Sequence, residues 1–129
     1  MKPPLYAPFF LGLFFLINTS LMAQKNKPLD LGASIPMSEQ MMIDVSNQEM
    51  SLEDIIEENG LLVIFSCNTC PFVVMWEDRY LQLEEKCQNK NIGMVYLNAN
   101  KAKRDGEDSL EAMKAHAKKM GYNYPYLID

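Results

Sequence analysis

Leu61-Leu62-Val63-Ile64-Phe65-Ser66-Cys67-Asn68-Thr69-Cys70-Pro71-Phe72 is the stretch that decides how this sequence reads. An apolar run ends abruptly at two cysteines spaced i, i+3, and an amphipathic helical pattern begins behind them. A strand that feeds a helix in this way delivers a thiol pair onto the helix's first turn. Unpaired backbone N–H groups there carry partial positive charge, which stabilises a thiolate. Zinc ribbons share the C-x-x-C spacing, but a pair lodged between strand and helix points to redox chemistry.

Behind the pair, Phe72, Trp76, Tyr80, Leu83 and Cys87 recur at helical spacing. They predict one helix with that stripe buried and with Glu77, Asp78, Gln82, Glu84, Glu85 and Lys86 facing water. Ahead of it, the unbroken apolar run from Leu61 is the pattern of a central strand buried on both faces. Further out, Met41 to Val45 reads as a short strand. Ser51-Leu52-Glu53-Asp54 reads as a capping box that opens a short helix to Glu58, which Asn59-Gly60 ends. Ile92 to Leu97 is a second core strand, and Asn98 to Asp108 is a polar loop. Ser109 caps a helix with Leu110, Met113, Ala117 and Met120 inward and Gly121 at its end. Pro125 to Ile128 is a last extended piece. Strand, helix, strand, helix with crossovers of this length implies an α/β fold built on a parallel β-α-β unit. The active site is then expected at the carboxyl ends of the strands, where Cys67 lies.

The 129 residues carry a formal net charge of −5. Met1-Lys2, an apolar stretch from Phe9 to Ile17 too short to span a bilayer, and the small residue Ala23 read as a signal peptide over 1–23. Its removal would take Lys2 and leave a net charge of −6 on the mature part. The expected location is secreted or periplasmic. Residues 24–36, with Pro28, Gly32 and Pro36, read as a linker, and 37–129 as a single small domain. The acidic balance argues against nucleic acid and anionic membrane surfaces as partners. Three cysteines leave one over once Cys67 and Cys70 are taken as a pair.

The order of elements around Cys67-Asn68-Thr69-Cys70-Pro71-Phe72 resembles the thioredoxin superfamily. More narrowly it is similar to the exported thioredoxin-like and redoxin group classed with the alkyl hydroperoxide reductase/thiol-specific antioxidant family. Asn98-Ala99-Asn100, Asp108-Ser109 and Tyr124-Pro125-Tyr126-Leu127-Ile128-Asp129 add to the resemblance, which runs from about Leu31 to the last residue. It implies a thioredoxin-like fold. In complete members a strand pair with a cis-proline loop and a closing helix follow the final Asp. Because the sequence stops at Asp129, the expectation is a partial thioredoxin-like domain lacking those elements, with an exposed edge and an apolar face.

The expected activity is thiol–disulfide exchange. Cys67, placed at the helix N-cap and more exposed, is the expected attacking thiolate, and Cys70, one turn in, the resolving thiol. Asn68 and Thr69 between them would tune the potential, and Pro71 falls in the first turn, where a missing N–H costs little. The reading calls for no cofactor and no metal. Its expected partners are protein or small-molecule disulfides and thiols, with a membrane-bound redox partner recycling the pair, and the chain is expected to be a monomer. Three other readings are weighed against it. In a thiol-dependent peroxidase of the redoxin family, the hydroxyl three residues before the reactive cysteine orients the peroxide. Counting back from Cys70, that position holds Cys67, which favours exchange. A Cu(I) or metal chaperone would suit an exported cysteine pair with thioether neighbours, but the methionines sit at core-filling positions. An inactive truncated fragment is the third. A zinc site would need Cys87 and His116, and these read instead as a buried inert thiol and an ordinary helix-flank histidine. Haem attachment would need a histidine where Pro71 stands. The strand Leu61 to Phe65 offers no carboxylate for acid–base help; Asp44 and Glu39 are the alternatives, neither assigned.

Overall fold

The structure, a computed structural model, describes residues 28–129. The leader expected over 1–23 and the first linker residues, 24–27, lie outside the described residues. The chain divides into two units, Met1–Ala33 and Ser34–Asp129. The described end of the first is a turn closed by the Ala33 N–H donating to the Asp30 carbonyl at 3.0 Å. All that follows concerns the second.

Its elements are β1 (Met42–Asp44), β2 (Glu49–Met50), β3 (Leu61–Phe65), α1 (Pro71–Val74), a 3-10 turn (Glu77–Arg79), α2 (Tyr80–Gln88), β4 (Gly93–Asn98), a second 3-10 turn (Lys101–Lys103), α3 (Leu110–Met120) and β5 (Tyr126–Ile128). The strands form one mixed open sheet in the order β2-β1-β5-β4-β3. β3 and β5 run parallel to β4, and β1 runs antiparallel to β5 and β2. The expected parallel β-α-β arrangement is therefore present. The expected central strand is not the one observed: β3 is an edge strand, half-buried, with Phe65 68% exposed. The middle place belongs to β5, and β4, between β5 and β3, is buried at every position. Five apolar residues in a row satisfy either place, because β3 still packs on both faces of the sheet: Leu62 and Ile64 against one core, Leu61 and Val63 against the other.

The pleat of β4 sends alternate side chains to opposite faces. Met94 and Tyr96 join Tyr80, Cys87, Met113, Ala117 and Tyr126 in a core that α2 and α3 cover. Val95 and Leu97 join Met42, Leu52 and Leu127 on the other face. α3 begins and ends as its sequence dictates: the Ser109 hydroxyl accepts from the Ala112 N–H, and Gly121 closes the helix in the left-handed region at φ 76°.

The helix expected over Ser51–Glu58 does not form. Its capping box does: the Ser51 N–H and hydroxyl donate to Asp54 Oδ2 at 2.8 and 2.7 Å. The N–H groups of Ile55 and Ile56 both turn back to the Leu52 carbonyl, giving a single turn. Glu57 and Gly60 then pair as an isolated bridge, and Asn59 is tied to the carbonyls of Asn91 and Lys90. The chain must reverse there to enter β3 alongside the start of β4, which leaves no room for a second helical turn.

Candidate active site

β3 ends at Phe65, and the Ser66 N–H continues the ladder by donating to the Leu97 carbonyl at 2.9 Å. The thiol loop Cys67–Cys70 follows directly, at the carboxyl end of the parallel strands. Both cysteines are half-buried and unbonded thiols.

The helix start lies three residues later than expected. Pro71 occupies its first position and Cys70, with φ −70° and ψ 121°, is the N-cap; Cys67 is not. The cause is local: the proline ring pushes the residue before it out of the helical region and into extended backbone, so no helix can begin ahead of Pro71. The helix is also broken. α1 spans four residues, the N–H of Trp76 bonds Val73 rather than the residue four back, and a 3-10 turn resets the chain before α2. As a result Phe72 and Trp76 are 74% and 58% exposed, leaving only the Tyr80, Leu83 and Cys87 end of the expected stripe against the core. Phe72, Val74, Met75 and Trp76 form an exposed apolar collar in the turns that follow the thiols, with the Arg79 guanidinium over the Trp76 ring at 4.5 Å, while the exposed Phe65 lies with Met42, Leu52 and Leu97 on the other face of the sheet.

The two sulfurs sit in different electrostatic settings. The N–H groups of Val73 and Phe72 face Cys70 and, helped by the Cys67 thiol, hold its thiol below the ordinary value. No single one closes a capping hydrogen bond. For Cys67, burial dominates and pushes the thiol up, the N–H groups of Cys70 and Thr69 oppose, and the negative charge of Asp108 adds to the rise. In so short a helix the nearby N–H groups, not a long macrodipole, supply the positive field.

Asp108 is the buried carboxylate at this loop. It is fully buried, and its Oδ1 accepts from the Asn68 backbone N–H at 2.7 Å. Asp44 and Glu39 are placed elsewhere: Asp44 accepts from the N–H groups of Tyr126 and Ser46, and Glu39 is exposed beside Ser38. Thr69 is exposed; Asn68 is held by Glu107 and Tyr126. The Ser66 hydroxyl is buried, and among the described residues no group closes a hydrogen bond to it, although the Tyr80 and Tyr126 hydroxyls face it.

Two glutamates expected on the wet side are buried instead. Glu84 accepts from the Tyr96 hydroxyl at 2.8 Å and from Asn123. Glu77 accepts from the Tyr122 hydroxyl at 2.9 Å and meets His116 Nε2 at 2.5 Å. His116 is thus no helix-flank residue; its side chain is 16% exposed and paired. Cys87 is buried in the helix-side core, as its stripe position implied. Among the described residues no cluster of three or more histidine, cysteine or acidic side chains is arranged to hold a metal ion.

No protein-family model matches the chain, and a search of curated proteins finds no match. Solved structures do resemble it. An uncharacterized conserved protein from Geobacillus kaustophilus is 33% identical with a TM-score of 0.65, over 69% of this chain and 48% of that one. A hypothetical protein from Sinorhizobium meliloti is 30% identical with a TM-score of 0.63, over 70% and 49%. A PrxQ mutant from Xylella fastidiosa is 13% identical with a TM-score of 0.58, over 78% and 60%. The chain spans about half the length of the first two. These likenesses show the fold, a mixed open sheet with flanking helices that resembles the thioredoxin-like topology.

Proposed function

We propose that this chain carries out thiol–disulfide exchange through Cys67 and Cys70, with Cys70 the sulfur that attacks first. The observation that carries the reading is the asymmetry of the pair. Cys70, at the N-cap, faces two backbone N–H groups that favour its thiolate, while burial and a neighbouring carboxylate disfavour that of Cys67. The thiolate is the attacking species in exchange. The order is the reverse of the one the motif alone suggested, because Pro71 moves the helix start onto Cys70.

In the proposed reaction the Cys70 thiolate attacks one sulfur of a substrate disulfide. A Cys70–substrate disulfide forms, the substrate's own S–S bond breaks, and the second substrate sulfur leaves as a thiolate that takes a proton. Cys67 then loses its proton and attacks the Cys70 sulfur. The Cys67–Cys70 disulfide forms and the first substrate sulfur departs, to be protonated in turn. Two protein thiols are oxidised and one substrate disulfide is reduced to two thiols. The reverse sequence donates a disulfide, and the potential of the partner sets the direction. The exposed apolar collar of Phe72, Met75 and Trp76 suits a substrate whose disulfide is flanked by apolar groups. Export by the leader over 1–23, and recycling by a membrane-bound thiol partner, complete the proposal.

The test is insulin-disulfide reduction with dithiothreitol as the reductant. Cys70→Ser should abolish the activity, and Cys67→Ser should accumulate a mixed disulfide detectable by mass. An active Cys70→Ser protein would overturn the assigned order. Two inactive single variants with no trapped adduct, alongside an inactive wild type, would overturn the exchange reading itself.

A further inference from the structure

Around the thiol loop the structure closes a ring of polar groups of which the exchange chemistry above uses only the charge of Asp108. Asp108 Oδ1 accepts from the Asn68 backbone N–H at 2.7 Å and from Asn98 Nδ2 at 3.1 Å, and its Oδ2 accepts from Asn100 Nδ2 at 2.6 Å. The Asn68 side chain is held at both ends. Its Nδ2 donates to the Glu107 carbonyl at 2.7 Å, and its Oδ1 accepts from the Tyr126 hydroxyl at 3.2 Å. The Tyr126 oxygen in turn accepts from Asn98 Nδ2 at 3.2 Å. Asp108, Asn98 and Tyr126 are fully buried. The ring therefore joins the residue that follows Cys67 to the end of β4, to β5 and to the residue ahead of the α3 cap.

A fully buried carboxylate is costly unless hydrogen bonds and nearby charge offset it. Here the donors are two side-chain amides and one backbone N–H, and that N–H belongs to the peptide between Cys67 and Asn68. Arg104 lies close but donates to the Asp108 backbone carbonyl, at 3.3 Å, rather than to its carboxylate. The acid's grip on the thiol loop is thus one of its three side-chain bonds. Asn at position 108 would keep an acceptor for the Asn68 N–H but would carry no charge.

We propose that Asp108 is a positioning residue of the thiol site: through the Asn68 N–H it fixes the Cys67–Cys70 loop, and its charge confines the pair's negative charge to Cys70. The proposal rests on the exchange reading for its purpose but not for its test. Burial is the larger reason that the Cys67 thiol keeps its proton and the Asp108 charge adds to it, so the two thiols act in sequence instead of competing for one substrate. The raised Cys67 thiol, pushed up by burial first and by the Asp108 charge in addition, agrees. The other ionisable groups facing this pair are Cys70 on the same loop, Tyr126 from β5, Tyr80 from α2, and Arg104 and Glu107 from the segment before α3.

Two measurements test it. In the wild-type protein, the Asn68 amide proton resonance followed through an acid titration should move with a carboxyl group. An Asn68 amide that shows no carboxylate titration overturns the proposal. Brief iodoacetamide labelling, read by peptide mass after a denaturing quench, should mark Cys70 ahead of Cys67 in the wild type. In Asp108→Asn the Cys67 labelling rate near neutral pH should rise severalfold relative to Cys70, because a charge opposing the Cys67 thiolate is gone. Asp108→Glu should restore most of the wild-type order, which a purely structural role would not require. An unchanged labelling ratio in a folded Asp108→Asn protein refutes the proposal. Where that variant does not fold, Asp108→Ser, smaller and uncharged but still an acceptor, carries the same labelling test. Should neither fold, the wild-type amide titration decides. Insulin reduction measured in parallel separates the two readings: altered labelling without activity sinks exchange alone, and activity with unaltered labelling sinks the role of Asp108 alone.

Discussion

Replacing Gly93 by alanine probes the contact that fixes the start of β4, the strand buried along its whole length. A Cβ built there would stand 2.0 Å from the Ile55 carbonyl oxygen and 3.0 Å from its carbon, far inside ordinary contact. The obstructing atoms are backbone, so no side-chain rotation relieves them. The turn over 51–60 would have to lift away from β4, and the bond from the Gly93 N–H to the Gly60 carbonyl, 2.9 Å long, would stretch with it. Overpacking of this kind costs about 1–3 kcal/mol, and a backbone obstacle puts Gly93→Ala at the upper end, about 3 kcal/mol. At roughly 4–8 °C per kcal/mol for a domain of this size, the melting temperature should fall by about 12–24 °C. Gly106→Ala, whose nearest neighbour would be 3.9 Å away, should stay within about 0.5 kcal/mol. Gly60→Ala meets nothing but must hold φ +112°, a strain of about 1–3 kcal/mol. Urea unfolding followed by far-UV circular dichroism ranks the three; Trp76, the sole tryptophan, is too exposed to report on core packing. A Gly93→Ala protein as stable as Gly106→Ala would refute the packing of the 51–60 turn on β4.

Two further outcomes follow from burial and charge. Native protein treated with Ellman's reagent should release two thiol equivalents quickly, from Cys67 and Cys70, and the third only in denaturant. Cys87 is buried, and burial pushes its thiol up; three fast equivalents would contradict its place in the core. Stability should decline as the solution is made alkaline beyond about pH 10. The hydroxyls of Tyr96, Tyr122 and Tyr126 are all raised from the ordinary 10.0, chiefly by burial. A raised folded value means that the unfolded chain gives up its protons first. The stabilisation is complete below pH 10 and drains away as pH climbs toward the folded values. Tyr122→Phe should flatten that decline in urea titrations across pH 9–11, and an unchanged slope would count against the buried ring cluster.

β1, β3, β4, β5 and α3 were legible in the sequence because each is set by local rules: the apolar runs of β3 and β4, the Ser109 cap, the Gly121 stop; the two-residue β2 was not. What was not legible has a common physical form. Glu77 and Glu84 read as solvent-facing because an acid on a helix usually is, yet they lie with Tyr80 on one inward stripe and find their donors in Tyr96, Tyr122, His116 and Asn123. Nothing within a helical window announces partners that far along the chain. The polar run from Asn98 to Asp108 misled in the same way. Its composition is that of a solvated loop, and so is the composition of a set of amides and a carboxylate that satisfy one another out of water. The helix start was legible in principle, since Pro71 alone determines that Cys70 stays extended.

Topology supplies the signal that composition withheld. Once β3 and β4 are taken as parallel neighbours, the register that pairs Phe65 with Leu97 puts the next residues, Ser66 and Asn98, at the same level. The ladder continues there, from the Ser66 N–H to the Leu97 carbonyl. Any β-α-β unit whose first strand ends in a thiol loop must therefore bring the first residues after its second strand alongside those thiols. Asn98, Asn100 and, by the return of the chain into α3, Asp108 occupy that place in this chain. A polar cluster at the carboxyl end of the second strand belongs to the thiol site on geometric grounds, whatever its composition suggests. On the same grounds the residues to examine around a C-x-x-C loop are found one strand away, not beside it in sequence.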